Sequence, residues 1–255
     1  MNKEDTILLK RFEDLSRTAY QRGINIYTGF LSLYEQNLLI NHAASGMLSS
    51  KFSFLGGHEY AERKIACFYD YSMLLGDNPI SVILIKPQNS RFAEELSHRD
   101  YLGALMNLGI EREVIGDIIT TDDKSTYIIC KSSMADYIMD NYYTVKHTQV
   151  SCTLISNEKL EELSIKPEFE EIIGSVSSLR LDCVLSLAFK KSRTQTAEYI
   201  KAGAVYVNSK LTESTSYQLK DSDVVSMRGF GKFIFDSTGG QSKKGKTYIK
   251  LLKYT

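Results

Sequence analysis

Apolar positions recur at helical spacing near the start of the chain. Ile7, Leu8, Phe12, Leu15 and Ala19 share one side of a helix predicted over 4–19. A second helix is predicted from Thr28, placed to cap it, through Phe30, Leu33 and Leu38 to His42. The runs KFSFLGG and KIACFYD then read as short strands on either side of HEYAER. From residue 79 the pattern becomes more regular. PISVILIKP reads as a buried strand, and HRDYLGALMNLG as a helix stopped by Gly109. VIGDIIT and STYIICK read as strands joined by the acidic turn Asp122-Asp123-Lys124. SSMADYIMDNYY reads as a helix capped by Ser132 or Ser133, and TQVSCTLIS as a last strand. That order is βαββαβ, a ferredoxin-like or RRM-like unit. Its third strand lacks the basic-glycine-aromatic signature of an RNA-reading RRM, and only Tyr127 offers a stacking face there.

A third pattern begins after residue 174. Leu181, Val184, Leu185 and Ala188 lie at i, i+3, i+4 and i+7, one apolar helix face. Ser192 and Gln195 are spaced as a capping box for a second helix, and Gly203 stands where its C-terminal stop is wanted. A basic, β-rich meander follows. The expected fold class is therefore α+β: an N-terminal α/β region (1–75), an RRM-like middle domain (76–156), an acidic linker (157–174) and a C-terminal helix-pair-plus-meander domain (175–255).

Charge changes this picture. The chain is neutral overall, yet residues 175–255 carry 14 Lys+Arg against 6 Asp+Glu, while the first 174 carry 17 against 25. One end is built to meet a polyanion. Lys190, Lys191 and Arg193 gather beside the N-terminus of the second helix, where Ser192, Thr194 and Gln195 offer polar groups next to free backbone N–H donors. Lys201 lies further along that helix. The meander adds Lys210, Arg228 and Lys232, and the Gly-flanked tail loop adds Lys243 and Lys244. Phosphate neutralisation by such a surface predicts salt-dependent binding.

Other chemistry is poorly supplied. Cys67, Cys130, Cys152 and Cys183 are widely spaced in apolar stretches, without a ligand pattern for zinc. The four histidines are scattered, and no glycine-rich cofactor loop or nucleophile–base pair stands out. No cofactor, no metal and no catalytic role are expected. No apolar run approaches a membrane span, and the charged N-terminus has no signal-peptide core, which points to the cytoplasm and away from membranes. Upstream, Gly56-Gly57 suits a positive φ or a close backbone approach. Arg63 and Lys64 read equally as a secondary RNA contact or as a structural turn with an ion pair. Arg99, at a helix start, could reach a phosphate. Gly116-Asp117, within a strand, marks a bulge or a tight approach.

The segment Arg180-Leu181-Asp182, Ser192-Arg193, Ala197, Ile200-Lys201, Gly203, Val205, Val207-Asn208 and Asp223 through Gly229 resembles the S4, or alpha-L, RNA-binding domain. The resemblance implies RNA contacts at Arg180, Lys190, Lys191, Arg193, Lys201 and Asn208, with Asp182 fixing the helix start or pairing with an arginine. FLGGHEYAER and HRDYLGALMNLGIEREVIGDI, ahead of such a domain, resemble the YlmH-like family of bacterial proteins. That resemblance implies a non-enzymatic factor whose partners are large-subunit ribosomal RNA, P-site tRNA and other quality-control factors. It further implies a role where stalled nascent chains receive C-terminal alanine tails. The alternative is an RNA-modifying enzyme of pseudouridine-synthase type that uses the S4 domain for targeting, although those enzymes usually place it at the N-terminus.

Overall fold

Ser32, rather than Thr28, starts the second helix. In the computed structural model, which describes residues 3–71, 78–89, 93–156, 168–242 and 245–254, Thr28 lies inside strand β1 (Ile26–Leu31). Its hydroxyl accepts from Ala66 N at 2.9 Å and donates to Gly29 O at 2.7 Å. Ser32 caps α2 (Leu33–Ala44) in a full capping box with Glu35. The apolar run through Phe30 had hidden a strand, because a short apolar stretch has no period of its own. Helix α1 (Lys3–Arg22) forms as the spacing predicts. Strands β2 (Lys51–Leu55) and β3 (Lys64–Tyr69) complete an antiparallel sheet of order β1-β3-β2.

The middle region forms β4 (Ile80–Pro87), α3 (His98–Asn107), β5 (Ile115–Thr120), β6 (Thr126–Lys131), α4 (Ala135–Asn141), the short β7 (Thr144–Val145) and β8 (Thr148–Ile155). Its antiparallel sheet has the order β5-β6-β4-β8-β7, compatible with the RRM-like reading. Ser132 does not cap α4. A short 3-10 turn, Ser132–Met134, precedes the helix, and the Ser132 hydroxyl donates to Asn78 O.

Side chains of β4 and β6 alternate between two cores. Ile83, Ile85, Ile128 and Cys130 pack under α3 and α4 with Tyr101, Leu105 and Ile138. Ile80, Val82, Tyr127 and Ile129 pack against Phe30 of β1 and Ile65 of β3. The other face of the first sheet, with Leu31, Ala66 and Phe68, meets Leu9, Phe12 and Ala19 of α1. The layers thus run helix, sheet, sheet, helix.

A polar latch closes the edge of this sandwich. Arg63 donates to Phe30 O (2.6 Å) on β1, to Ile115 O (3.1 Å) on β5 and to Arg112 O (3.3 Å). Asp117 accepts from Glu62 N (2.7 Å), Arg63 N (3.1 Å) and His58 Nε2 (3.3 Å). Gly116 and Asp117 sit where the β5–β6 register shifts, the predicted bulge. A Cβ on Gly116 would lie 2.7 Å from the Phe30 ring, so only glycine lets the two sheets approach. Gly57, at φ +85°, turns the preceding loop across Ile80 and Ile129.

Two units divide the chain, Met1–Ile165 and Lys166–Thr255. The second holds β9 (Phe169–Val176), α5 (Leu181–Ala188), α6 (Arg193–Lys201), β10 (Val205–Val207), β11 (Lys210–Leu211), β12 (Val224–Met227), β13 (Gly231–Gln241) and β14 (Thr247–Tyr254). Its sheet runs β11-β10-β12-β13-β14-β9. Residues 169–174, read from sequence as linker, belong to β9, which pairs along its whole length with β14. Glu170 and Glu171 meet Lys253 and Lys250 across that pairing, and the acidic stretch is held there as sheet. The unit gains Lys166 and three glutamates over the 175–255 segment, and its net charge is +6 rather than +8.

Burial opposes the charge on Asp117, but the bonds from His58, Glu62 N and Arg63 N outweigh it and hold its pKa below the ordinary carboxylate value. Asp117→Asn should cost about 2–3 kcal/mol in urea denaturation. The native pKa lies below the unfolded one, so this stabilisation is complete above pH ~4 and is lost as the pH falls through the native value. The variant and the wild type should therefore converge in stability at acid pH.

Candidate nucleic-acid interface

Asp182 organises the C-terminal unit's basic corner. It sits in the first turn of α5, is only 4% exposed, and accepts from both flanking arginines. Arg180 donates through Nε at 3.1 Å, and Arg193 donates through Nη2 at 2.6 Å and Nε at 3.2 Å. Thr196, fully buried, donates its hydroxyl to Asp182 O at 3.0 Å. The start of α5 is thereby tied to the start of α6. Burial works against the Asp182 charge, yet the two guanidiniums hold its pKa below the usual carboxylate range. One carboxylate between two guanidiniums leaves the group cationic, with both arginines fixed in direction.

The turn between the helices is equally constrained. Lys190 takes φ +52°, the left-handed conformation at a helix C-terminus. Lys191 N donates to Ser186 O at 3.2 Å, while the Ser186 hydroxyl donates back to Lys191 O. Ser192 and Gln195 form the predicted capping box, with Gln195 N to Ser192 Oγ at 3.2 Å and Ser192 N to Gln195 Oε1 at 3.0 Å. Thr194 is exposed on the first turn of α6, and Lys201 on the last. The Lys191 ammonium stands 5.1 Å from the centre of the Phe230 ring, which packs edge-on against Tyr199. The β12–β13 turn is thus locked to the helical corner.

The remaining candidates do not all join this corner. Val225, Met227, Phe233 and Phe235 face the helices in the core, so the alternate residues of β12 and β13 point the other way. Arg228 and Lys232 fall on that opposite side. Arg228 donates to the Tyr206 hydroxyl at 2.8 Å, and the Lys232 ammonium stands 4.1 Å from the Tyr254 ring centre. Lys210 lies on the exposed edge strand β11. Lys243 and Lys244 lie outside the described residues.

Asn208 shapes a turn. It adopts φ +49°, its amide donates to Asp223 Oδ1 at 2.8 Å, and its carbonyl oxygen accepts from Val224 N at 2.9 Å. The sequence signal was real, because Asn tolerates the left-handed conformation this turn needs. The secondary candidates Arg63, Lys64 and Arg99 lie in the first unit. Arg63 spends its guanidinium on three backbone carbonyls of the sheet junction. Lys64 opens β3, opposite Leu31. Arg99 is exposed in the first turn of α3, beside Asp100, whose carboxyl accepts from Ser97 and pairs with Lys146 at 2.8 Å. Tyr127 is 7% exposed and buried between the sheets. Tyr206, Tyr199 and Phe230, which position the cations, were not singled out from sequence. Aromatic residues in strands look like core until the register shows which side they face.

Among the described residues no group of three or more His, Cys, Asp or Glu could hold a metal, and no helix is long and apolar enough to cross a membrane. Burial pushes the thiols of Cys130 and Cys152 up, to about 12 and about 11, well away from nucleophilic character.

Comparison with known proteins fits these surfaces. Residues 77–159 match the model described as the putative RNA-binding domain in YlmH, and residues 179–225 match the S4 domain. The chain is 32% identical over 225 residues to the Ribosome-associated protein quality control protein P2 of Bacillus subtilis, covering 86% of this chain and 83% of that protein. The chain belongs to the YlmH family. A solved structure, Cell division protein ylmH from Streptococcus pneumoniae, shares the fold with a TM-score of 0.50 at 23% identity, covering 62% of this chain and 95% of that one. The S4 match contains the whole Asp182 corner and both of its helices. It stops before Arg228 and Lys232, so the YlmH-family chain carries cations in the β12–β13 turn and on β13 beyond the matched segment.

Asp182→Ala separates geometry from charge. It raises the net charge by one but releases Arg180 and Arg193 and removes the link between the helices. The C-terminal unit should lose about 2 kcal/mol of stability, a figure already reduced for the partly exposed arginines. Affinity for structured ribosomal RNA in filter binding should fall. A rise in affinity would mean that charge count alone governs binding.

Proposed function

We propose that this chain is a non-enzymatic, cytoplasmic RNA-binding factor that associates with the large ribosomal subunit. In this reading the corner of α5 and α6 meets ribosomal RNA and P-site tRNA by phosphate and shape. The factor then supports quality control of stalled nascent chains, including the addition of C-terminal alanine tails. The observation that carries the reading is the Asp182-locked corner. Hydrogen bonds to the buried Asp182 fix Arg180 and Arg193, and Lys190 and Lys191 sit on a tied turn beside a capped helix N-terminus. Preset cations lose little freedom on meeting a backbone of regular shape, which suits structured RNA. The 32% identity to a protein named for ribosome-associated quality control supports the ribosomal address.

Lys190→Glu with Lys191→Glu tests it. The substitutions remove the Lys191–Phe230 contact, but the bonds that shape the turn run between Ser186 and the Lys191 backbone, so the fold should persist. Co-sedimentation with large subunits should be lost, and each missing phosphate contact should lower the salt-dependence slope by about 0.7–0.9. Alanine tails on a stalled reporter should disappear in cells that carry only this variant. Undiminished co-sedimentation would refute the reading.

A further inference from the structure

The open face of an RRM-like sheet is where such a unit would stack single-stranded bases. In this chain that face is already occupied. Tyr127, the one aromatic placed to stack, is 7% exposed, and its neighbours Val82 and Ile129 are fully buried against Phe30 and Ile65. The closure is built in at three levels. Apolar side chains interlock between the sheets, Gly116 admits the Phe30 ring at close range, and Arg63 with Asp117 ties the edge through six hydrogen bonds. Opening the face would take the Arg63 donors from the Phe30 and Arg112 carbonyls and leave two half-buried charges without these partners. The charge of the unit points the same way. Met1–Ile165 carries 16 Lys+Arg against 22 Asp+Glu, a net of −6 that repels a polyanion.

We propose that the sheet of residues 80–155 is a permanent internal interface with the N-terminal segment, that this unit makes no RNA contact through it, and that the motif FLGGHEYAER is the latch that seals it. The matched model's description as a putative RNA-binding domain then does not apply to the sheet face of this chain. RNA recognition falls to the C-terminal unit.

Tyrosine nitration of the intact protein, read by mass spectrometry with and without ribosomal RNA, tests the closure. Tyr143 (58% exposed) and Tyr20 (55%) should react and Tyr127 should not, in either condition. Tyr127→Ala should leave RNA affinity within about twofold, whereas loss of a stacking platform would weaken it roughly fivefold or more. Arg63→Met should lower the unfolding midpoint and make Tyr127 reactive, again without changing the RNA affinity of the folded protein. Reaction of wild-type Tyr127 at the rate of Tyr143, or its protection by RNA, overturns the proposal. A specific loss of RNA affinity in the folded Arg63→Met protein also overturns it. The closure rests on chemistry inside the first unit. If the wild type failed to bind RNA at all, the proposed function would fall while nitration still reported whether the face is sealed.

Discussion

A sheet that is apolar on both faces cannot stand in water with one face bare. That constraint decides the organisation of the first unit. Strands β4 and β6 alternate Ile, Val and Tyr with Ile and Cys, so each side needs a cover. Helices α3 and α4 cover one side, and the sheet β1-β3-β2 covers the other. The N-terminal region cannot therefore be treated as a separate attachment, because its second core is half built from the middle strands. The polar groups at the rim follow from the same contact. Backbone carbonyls trapped where the sheets meet need donors, and one guanidinium reaches three of them.

Local signals carried most of the element order. The helical period of residues 4–19, the stop at Gly109, the bulge at Gly116-Asp117 and the Ser192–Gln195 capping box are all decided within a few residues, and they appear as read. Non-local decisions were not legible. Strand β1 was hidden because Tyr27 through Leu31 is short and Thr28 looked like a helix cap, and only its pairing with β3 makes it a strand. Strand β9 looked like linker because Glu170 and Glu171 read as solvated charge until lysines on β14 stood opposite. The arginine of FLGGHEYAER pointed with equal weight to RNA or to a turn, and the structure places its guanidinium on three backbone carbonyls.

The candidate site shows the same division. Spacing placed Lys190, Lys191, Ser192 and Arg193 together, since a helix-turn-helix fixes their neighbourhood. It could not place Arg228 and Lys232, because one step in strand register moves a side chain to the opposite face. Nor could it reveal that Arg180 and Arg193 share one buried carboxylate. Much of the corner's character comes from that pairing. Two arginines held by hydrogen bonds present fixed directions, and the lysines around them add charge.

Strand β9 has a practical bearing on any attempt to isolate the basic end. A fragment trimmed to the S4 match at 179–225 would omit β9, β13 and β14. Even one begun at 175 would strip most of the outer strand, baring the backbone edge of β14. It would also discard Glu170 and Glu171, the acids that temper Lys253 and Lys250. Such a piece would be stickier toward every polyanion, and its affinities would exaggerate what the intact chain does.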